Sequence, residues 1–276
     1  MGEAKQKLSA TAKLIEKYPY CAFCAGMRAT TTREHMPPKA LFDNSHRPDR
    51  LVMPACSECN RGTSTSDLVA AMISRWDLYA NNQSQIDHSK LSAQIKLQAP
   101  ELFREWLSMD SPTEQRKARR HLESHGVNVP FGARFTTIGP LTIRHLNVFA
   151  HKVALALYFE HFKQPLKNTG RVQAIWKTKE DFAIKGVPQL LLDLFDGYNT
   201  LVQGQWNAAE AFEYRFARNT REGLFGCFAR LRQGLFILGF ALESDATLEA
   251  NPELDGIWIK PCALLEEHPH FLKKNG

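Results

Sequence analysis

Four of the six cysteines fall into two Cys-x2-Cys pairs, Cys21 with Cys24 and Cys56 with Cys59. Four thiolates complete the tetrahedron of a closed, structural zinc site, and paired thiols two residues apart are its usual sequence form. The spacer, residues 25–55, is long. Closing such a loop costs about 0.5 kcal/mol more than closing one a little over half its length. Structural zinc contributes roughly 10 kcal/mol or more, so the spacing is no obstacle. The pattern predicts Zn2+ on Cys21, Cys24, Cys56 and Cys59. Cys227 and Cys262 stand alone, and Cys227 reads as a core residue in an apolar strand pattern.

The spacer contains Arg33-Glu34-His35-Met36-Pro37-Pro38, and Asn60-Arg61-Gly62 follows the second pair directly. Zinc would draw the two pairs together and let Glu34, His35 and Asn60 converge. Glutamate and asparagine supply oxygens suited to a hard cation such as Mg2+ or Mn2+. A neutral imidazole beside them is suited to deprotonating water. One oxygen-held ion and one base are the parts needed to hydrolyse a phosphodiester. Arg33, Lys39, Arg47, Arg50 and Arg61 surround the motif. Of these, Arg33, Lys39 and Arg61 are the expected nucleic-acid contacts.

The order C-x2-C…[DE]-H…C-x2-C-N resembles the HNH endonucleases, the ββα-metal or His-Me finger group. The four-cysteine form is similar to phage Holliday-junction resolvases of the endonuclease VII type. The resemblance covers residues 18–80. It implies a catalytic metal site in which Glu34 is the acidic ligand and Asn60 also binds the ion, with His35 as general base. It implies structural zinc on the four cysteines, DNA as partner, and products ending in 5′-phosphate and 3′-hydroxyl. Two departures stand out. The acid is Glu rather than the commoner Asp, and no histidine follows Asn60 at helical distance, the nearest downstream being His88. Asp67 is the nearby candidate for a third ligand. The alternative, from a different class, is a non-catalytic, zinc-dependent nucleic-acid-binding module.

Other patterns carry less. Pro54-Ala55-Cys56-Ser57-Glu58-Cys59 faintly resembles zinc deaminases, but there the catalytic glutamate follows a ligand histidine, whereas Glu34 precedes His35. His121 and His125 have metal spacing on a helix but read as a solvated face, beside the basic residues Arg116, Lys117, Arg119 and Arg120. His268 and His270 lie in a polar tail.

The elements that must position the motif are readable in part. A short helix fits 8–17. The Ser64–Asp67 cluster offers N-caps ahead of the apolar run Leu68–Tyr79. A helix over 100–109 would carry Leu102, Phe103, Trp106 and Leu107 on one stripe. Ser111-Pro112-Thr113-Glu114 is a capping box with proline at the first helical position, and predicts a helix to His125. Leu146, Phe149, Val153 and Leu157 predict a helix over 141–163. Alternation in 212–216, then apolar runs in 223–230 and 234–242, predict an antiparallel meander.

These elements assign an α+β protein. A zinc-stabilised ββα-metal module (1–80) would be followed by helices and an antiparallel sheet (81–276). With 43% hydrophobic and 23% charged residues, the 276-residue chain has an ordinary globular composition, which excludes wholesale disorder. No apolar run approaches the roughly 18 residues of a membrane span. The first residues lack the apolar core of a signal peptide, so the expected location is cytoplasmic. The net charge of +6 favours a polyanionic partner.

Overall fold

The computed structural model describes residues 9–43, 47, 50–76, 82–189, 202–203, 208, 210–221, 223–250 and 256–266. Helix α1 (Ala10–Lys17) starts where Ser9 Oγ accepts the Ala12 amide. Strand β1 (Thr32–His35) pairs antiparallel with β2 (Val52–Ala55), with Thr32 opposite Ala55 and His35 opposite Val52. Helix α2 (Ser57–Gly62) follows β2, so the chain here runs strand, strand, helix.

Helix α3 (Ser64–Ser74) begins at the head of the expected capping cluster, but no side chain caps it. Thr63 Oγ1 donates back to the Cys59 carbonyl at 2.8 Å, and Ser64 Oγ to the Arg61 carbonyl at 2.8 Å. These hydroxyls join α2 to α3 instead of starting a separate helix. The end of the predicted apolar run, residues 77–79, lies outside the described residues, as do His268 and His270.

Helices α4 (Asn82–Gln98), α5 (Pro100–Trp106) and α6 (Pro112–Ser124) come next. Leu102 and Trp106 are buried as the stripe requires. Leu107 is not: the helix tightens to a 3-10 turn over Leu107–Met109, and Leu107 turns out to solvent at 59% exposure. At the start of α6, Ser111 Oγ accepts the Glu114 amide as the capping pattern predicts.

Helix α7 (Pro140–Phe162) is buried along its whole middle, from Leu146 to Phe159. A helix apolar all round must be packed all round. It lies between α3 on one side and a five-stranded antiparallel sheet on the other. The sheet order is β3 (Arg171–Thr178), β7 (Leu235–Leu242), β6 (Leu224–Leu231), β5 (Phe212–Asn219), β4 (Val202–Gln203). Strands β5 to β7 are the predicted meander. Strand β3 joins the free edge of β7, with Arg171 opposite Leu242 and Trp176 opposite Ile237. Gly239 permits the close approach of α7: a Cβ there would sit 2.7 Å from that of Ala154.

The architecture is therefore α+β, with antiparallel sheets. Its buried cluster runs without a break from Cys21 to Leu264, crossing residue 80. Polar ties cross as well. Arg232 Nε donates to the Leu41 carbonyl at 2.8 Å, and its Nη2 to Asp43 Oδ1 at 2.5 Å. No described helix is long and apolar enough to cross a membrane.

The end of α7 gives a pH-dependent expectation. His161 stacks on Phe216 with ring centroids 3.5 Å apart, and its Nε2 is buried with no hydrogen bond to a described residue. Burial first, then Lys163 and Arg218, pull its pKa down to about 4. Between about pH 6.5 and 4 the unfolded chain takes up a proton that the folded chain refuses. Stability should therefore fall as pH drops through that window. His161→Phe should flatten this loss, read as urea midpoints at pH 7 and pH 4.5. An equal drop in the variant would assign the acid sensitivity elsewhere.

Candidate metal centre and the adjoining charge cluster

Residues 20–29 fold back on themselves. Tyr20 bridges Ala29, and the Cys21 amide donates to the Arg28 carbonyl at 3.0 Å. This turn presents Cys21 and Cys24 to Cys56 and Cys59 at the head of α2. Cys56 is the N-cap of that helix, and its Sγ accepts the Cys59 amide at 3.4 Å. Cys21 Sγ accepts the Phe23 amide at 3.4 Å. All four cysteines are buried, and their Sγ atoms lie within 4.8 Å of one another. Zn–S bonds of about 2.3 Å set sulfurs of a tetrahedron about 3.8 Å apart. The cluster fits that demand with little contraction, and can hold a metal such as zinc.

Hydrogen bonds among the thiols pull their pKa values apart. Hydrogen bonds from the Cys21 and Cys59 thiols hold Cys24 down at about 2. Cys21, bonded to Cys24, is pushed up to about 12, and Cys59 is raised as well, first by Cys21 and then by Cys24. Metal binding would release the protons that the thiols carry.

Strand alternation turns Glu34 inward and leaves His35 half-buried at the end of β1. Glu34 is 6% exposed. Its Oε1 accepts a hydrogen bond from Lys152 Nζ, which reaches out of α7 at 3.1 Å. The same ammonium donates to Asp67 Oδ1 at 2.9 Å and Oδ2 at 2.7 Å. Both oxygens of Asp67, in α3, are thus taken by Lys152, which leaves none for an ion and removes Asp67 as the third ligand the sequence offered. Phe23, from the first cysteine turn, places its ring 5.9 Å from the same Nζ.

The charges in this cluster act on one another. Burial pushes Asp67 up to about 7; Lys152 pulls it the other way and Glu34 adds to the rise. For Lys152, burial acts to lower the pKa, and Asp67 and Glu34 together outweigh it, so the ammonium is held above its ordinary value.

Asn60, in α2, is half-buried and faces β1. Its Nδ2 donates to Thr32 Oγ1 at 3.0 Å and to the Arg33 carbonyl at 3.3 Å. Asn60 is therefore tied to the strand that carries Glu34 and His35. Arg33 is half-buried, while Lys39 and Arg61 are exposed. Arg47 is turned to the backbone instead. Its Nε donates to the Pro37 carbonyl at 2.7 Å, and its guanidinium also reaches the Met36 and Leu51 carbonyls.

On α6, Arg119 donates to the Val129 and Pro130 carbonyls and so braces the turn after the helix. His121 and His125 remain exposed, with His125 Nδ1 on the His121 carbonyl.

Lys152 is the residue that sequence reasoning missed. A signal existed: it is the single charged residue between Leu146 and Phe159. A lone lysine inside a fully apolar helix needs a buried partner. The chain matches no protein-family model, no curated protein and no solved structure, so the functional argument rests on this geometry.

Proposed function

We propose that the chain is an HNH-type endonuclease that hydrolyses DNA phosphodiester bonds with a divalent ion. The observation that carries the reading is the bonding of Asn60 to Thr32 and Arg33. It brings the residue after the last cysteine onto the strand of Glu34 and His35, beside a four-cysteine cluster. The strand–strand–helix order of β1, β2 and α2 supports the same reading.

Mg2+ or Mn2+ is the ion this reading implies. Its donors would be Glu34 Oε2 and Asn60 Oδ1. Both are hard oxygens, and neither bonds a described residue, because Lys152 occupies Oε1 and the Asn60 contacts run through Nδ2. When bound, such an ion supplies charge neutralisation at the phosphate and at the leaving 3′ oxygen. The chain's own residues do the rest. His35 accepts the proton of the attacking water. The new P–O bond forms as the bond to the 3′ oxygen breaks, and that oxygen leaves as a hydroxyl after protonation from solvent. Arg33, Lys39 and Arg61 would hold the flanking backbone through its phosphates.

The second reading is a zinc-dependent nucleic-acid-binding module without catalysis. The engagement of Glu34 by Lys152 favours it, since the carboxylate already has a cationic partner. Incubating zinc-loaded protein with supercoiled plasmid in Mg2+, Mn2+ or excess chelator separates the two. Zinc content is checked afterwards. Nicking that needs added metal supports the nuclease; retarded plasmid without nicking in either metal supports the binding module.

A further inference from the structure

We propose that Lys152 is a positioning residue for Glu34: by holding Oε1 from inside the core, it turns Oε2 toward the ion site. This rests on the metal-dependent reading above.

The donor arithmetic supports it. A lysine ammonium has three N–H donors. Here the two Asp67 oxygens, on one carboxylate, share one of them, and Glu34 Oε1 takes a second. Asp67 alone would tie α7 to α3 and offset one buried positive charge. The bond to Glu34 does something further. It reaches across to β1 and fixes one oxygen of a carboxylate whose neighbour in sequence is His35. Lys152 has a side-chain exposure of 1%, so water does not compete for that bond.

Stability does not require the arrangement. A buried ion pair is commonly no more stable than apolar side chains of similar volume. The surroundings of Lys152 on α7, Val148, Phe149, Val153 and Ala156, are apolar and buried. What an ammonium adds is direction, because a carboxylate with one oxygen fixed presents the other along a defined line. Orientation of a ligand by a partner one step behind it is a general feature of metal sites, and its loss typically lowers metal affinity 10- to 100-fold.

The test is direct Mn2+ binding to zinc-loaded protein, followed by the electron paramagnetic resonance signal of free Mn2+. Lys152→Met alone would leave two buried carboxylates facing each other and could fail to fold. The working variant is therefore Lys152→Met with Asp67→Asn. Asp67→Asn alone is the control that keeps the bond from Lys152 to Glu34. Zinc content and melting report folding in each. The expected result is one Mn2+ site in the wild type, its loss in Glu34→Gln, near-wild-type affinity in Asp67→Asn, and affinity at least tenfold weaker in the double variant. Equal affinity in the double variant and the wild type would overturn the proposal. So would a wild type without a Glu34-dependent site, or an Asp67→Asn protein as weak as the double variant. The nuclease reading fails separately, by absence of His35-dependent cleavage, and the Mn2+ titration does not depend on that outcome.

Discussion

Cys56→Ala is expected to release the bound zinc and to unfold the segment around the cysteine cluster. Elemental analysis of dialysed protein should fall from about one zinc per chain to almost none, the full occupancy of a single structural site. The energetic reason is one of scale. Structural zinc contributes roughly 10–16 kcal/mol in small modules, as much as the whole stability of an ordinary domain, about 5–15 kcal/mol. Cys56 acts twice: it offers one of four clustered sulfurs and it caps α2. The turn at residues 20–29 is otherwise anchored by Phe23 and Ala22 and by the Ala22 amide on the Pro54 carbonyl. The sheet body should behave differently. Phe212, Phe225, Leu231, Leu235 and Ile237 belong to the part of the buried cluster that the sheet builds against α7. Limited proteolysis should therefore cut first within residues 18–62 and leave the sheet protected. Cys262→Ser, at a half-buried position outside the cluster, should change neither zinc nor melting. Unchanged zinc content and melting in Cys56→Ala would remove the four-thiolate site from consideration.

What the sequence made legible follows physical range. Cysteine pairs declare a metal site locally, because each pair must present both sulfurs to one ion. The start of α6 is legible because Ser111, Pro112 and Glu114 act within one turn. Helix α7 is legible to within a residue at each end, since its apolar stripe continues for about four turns. Strand β3 was missed although Val172, Ala174 and Trp176 alternate inward along it. Its partner β7 lies far along the chain, so no hairpin turn announces it. Helix α4 was missed because few of its residues, Leu91 and Ile95 among them, turn an apolar side chain into the core. The charge cluster was half legible. Glu34 and Asp67 could be picked out near the motif, but their common partner sits more than eighty residues away in a helix that reads as pure core. Only the packing of α7 against α3 and β2 brings Lys152 to them.

His35→Ala is expected to keep its zinc, its melting temperature and its affinity for DNA, and to lose cleavage by roughly 10²–10⁴-fold, the usual worth of a general base. The expectation of an unaltered fold comes from position. His35 is half-buried at the last residue of a four-residue strand, where Met36 and Met53 supply the buried packing. Its backbone pairing opposite Val52 does not involve the ring. The expected loss of rate comes from chemistry, since water is a poor nucleophile until a proton is taken from it. Wild-type cleavage should accordingly rise with pH across the range where imidazoles lose their proton, because only the neutral ring can accept one. Glu34→Ala and Asn60→Ala should differ from His35→Ala in their response to metal. Raised Mn2+ should restore part of the rate where an ion ligand is missing, and none where the base is missing. Asn60→Ala carries an added consequence, because its amide also ties α2 to Thr32 and Arg33. It should lower the melting temperature as well as the rate. Single-turnover cleavage of the three variants across Mn2+ concentration decides among these roles. If His35→Ala cleaves at the wild-type rate, the base assignment is wrong and the binding-module reading becomes the better account of this surface.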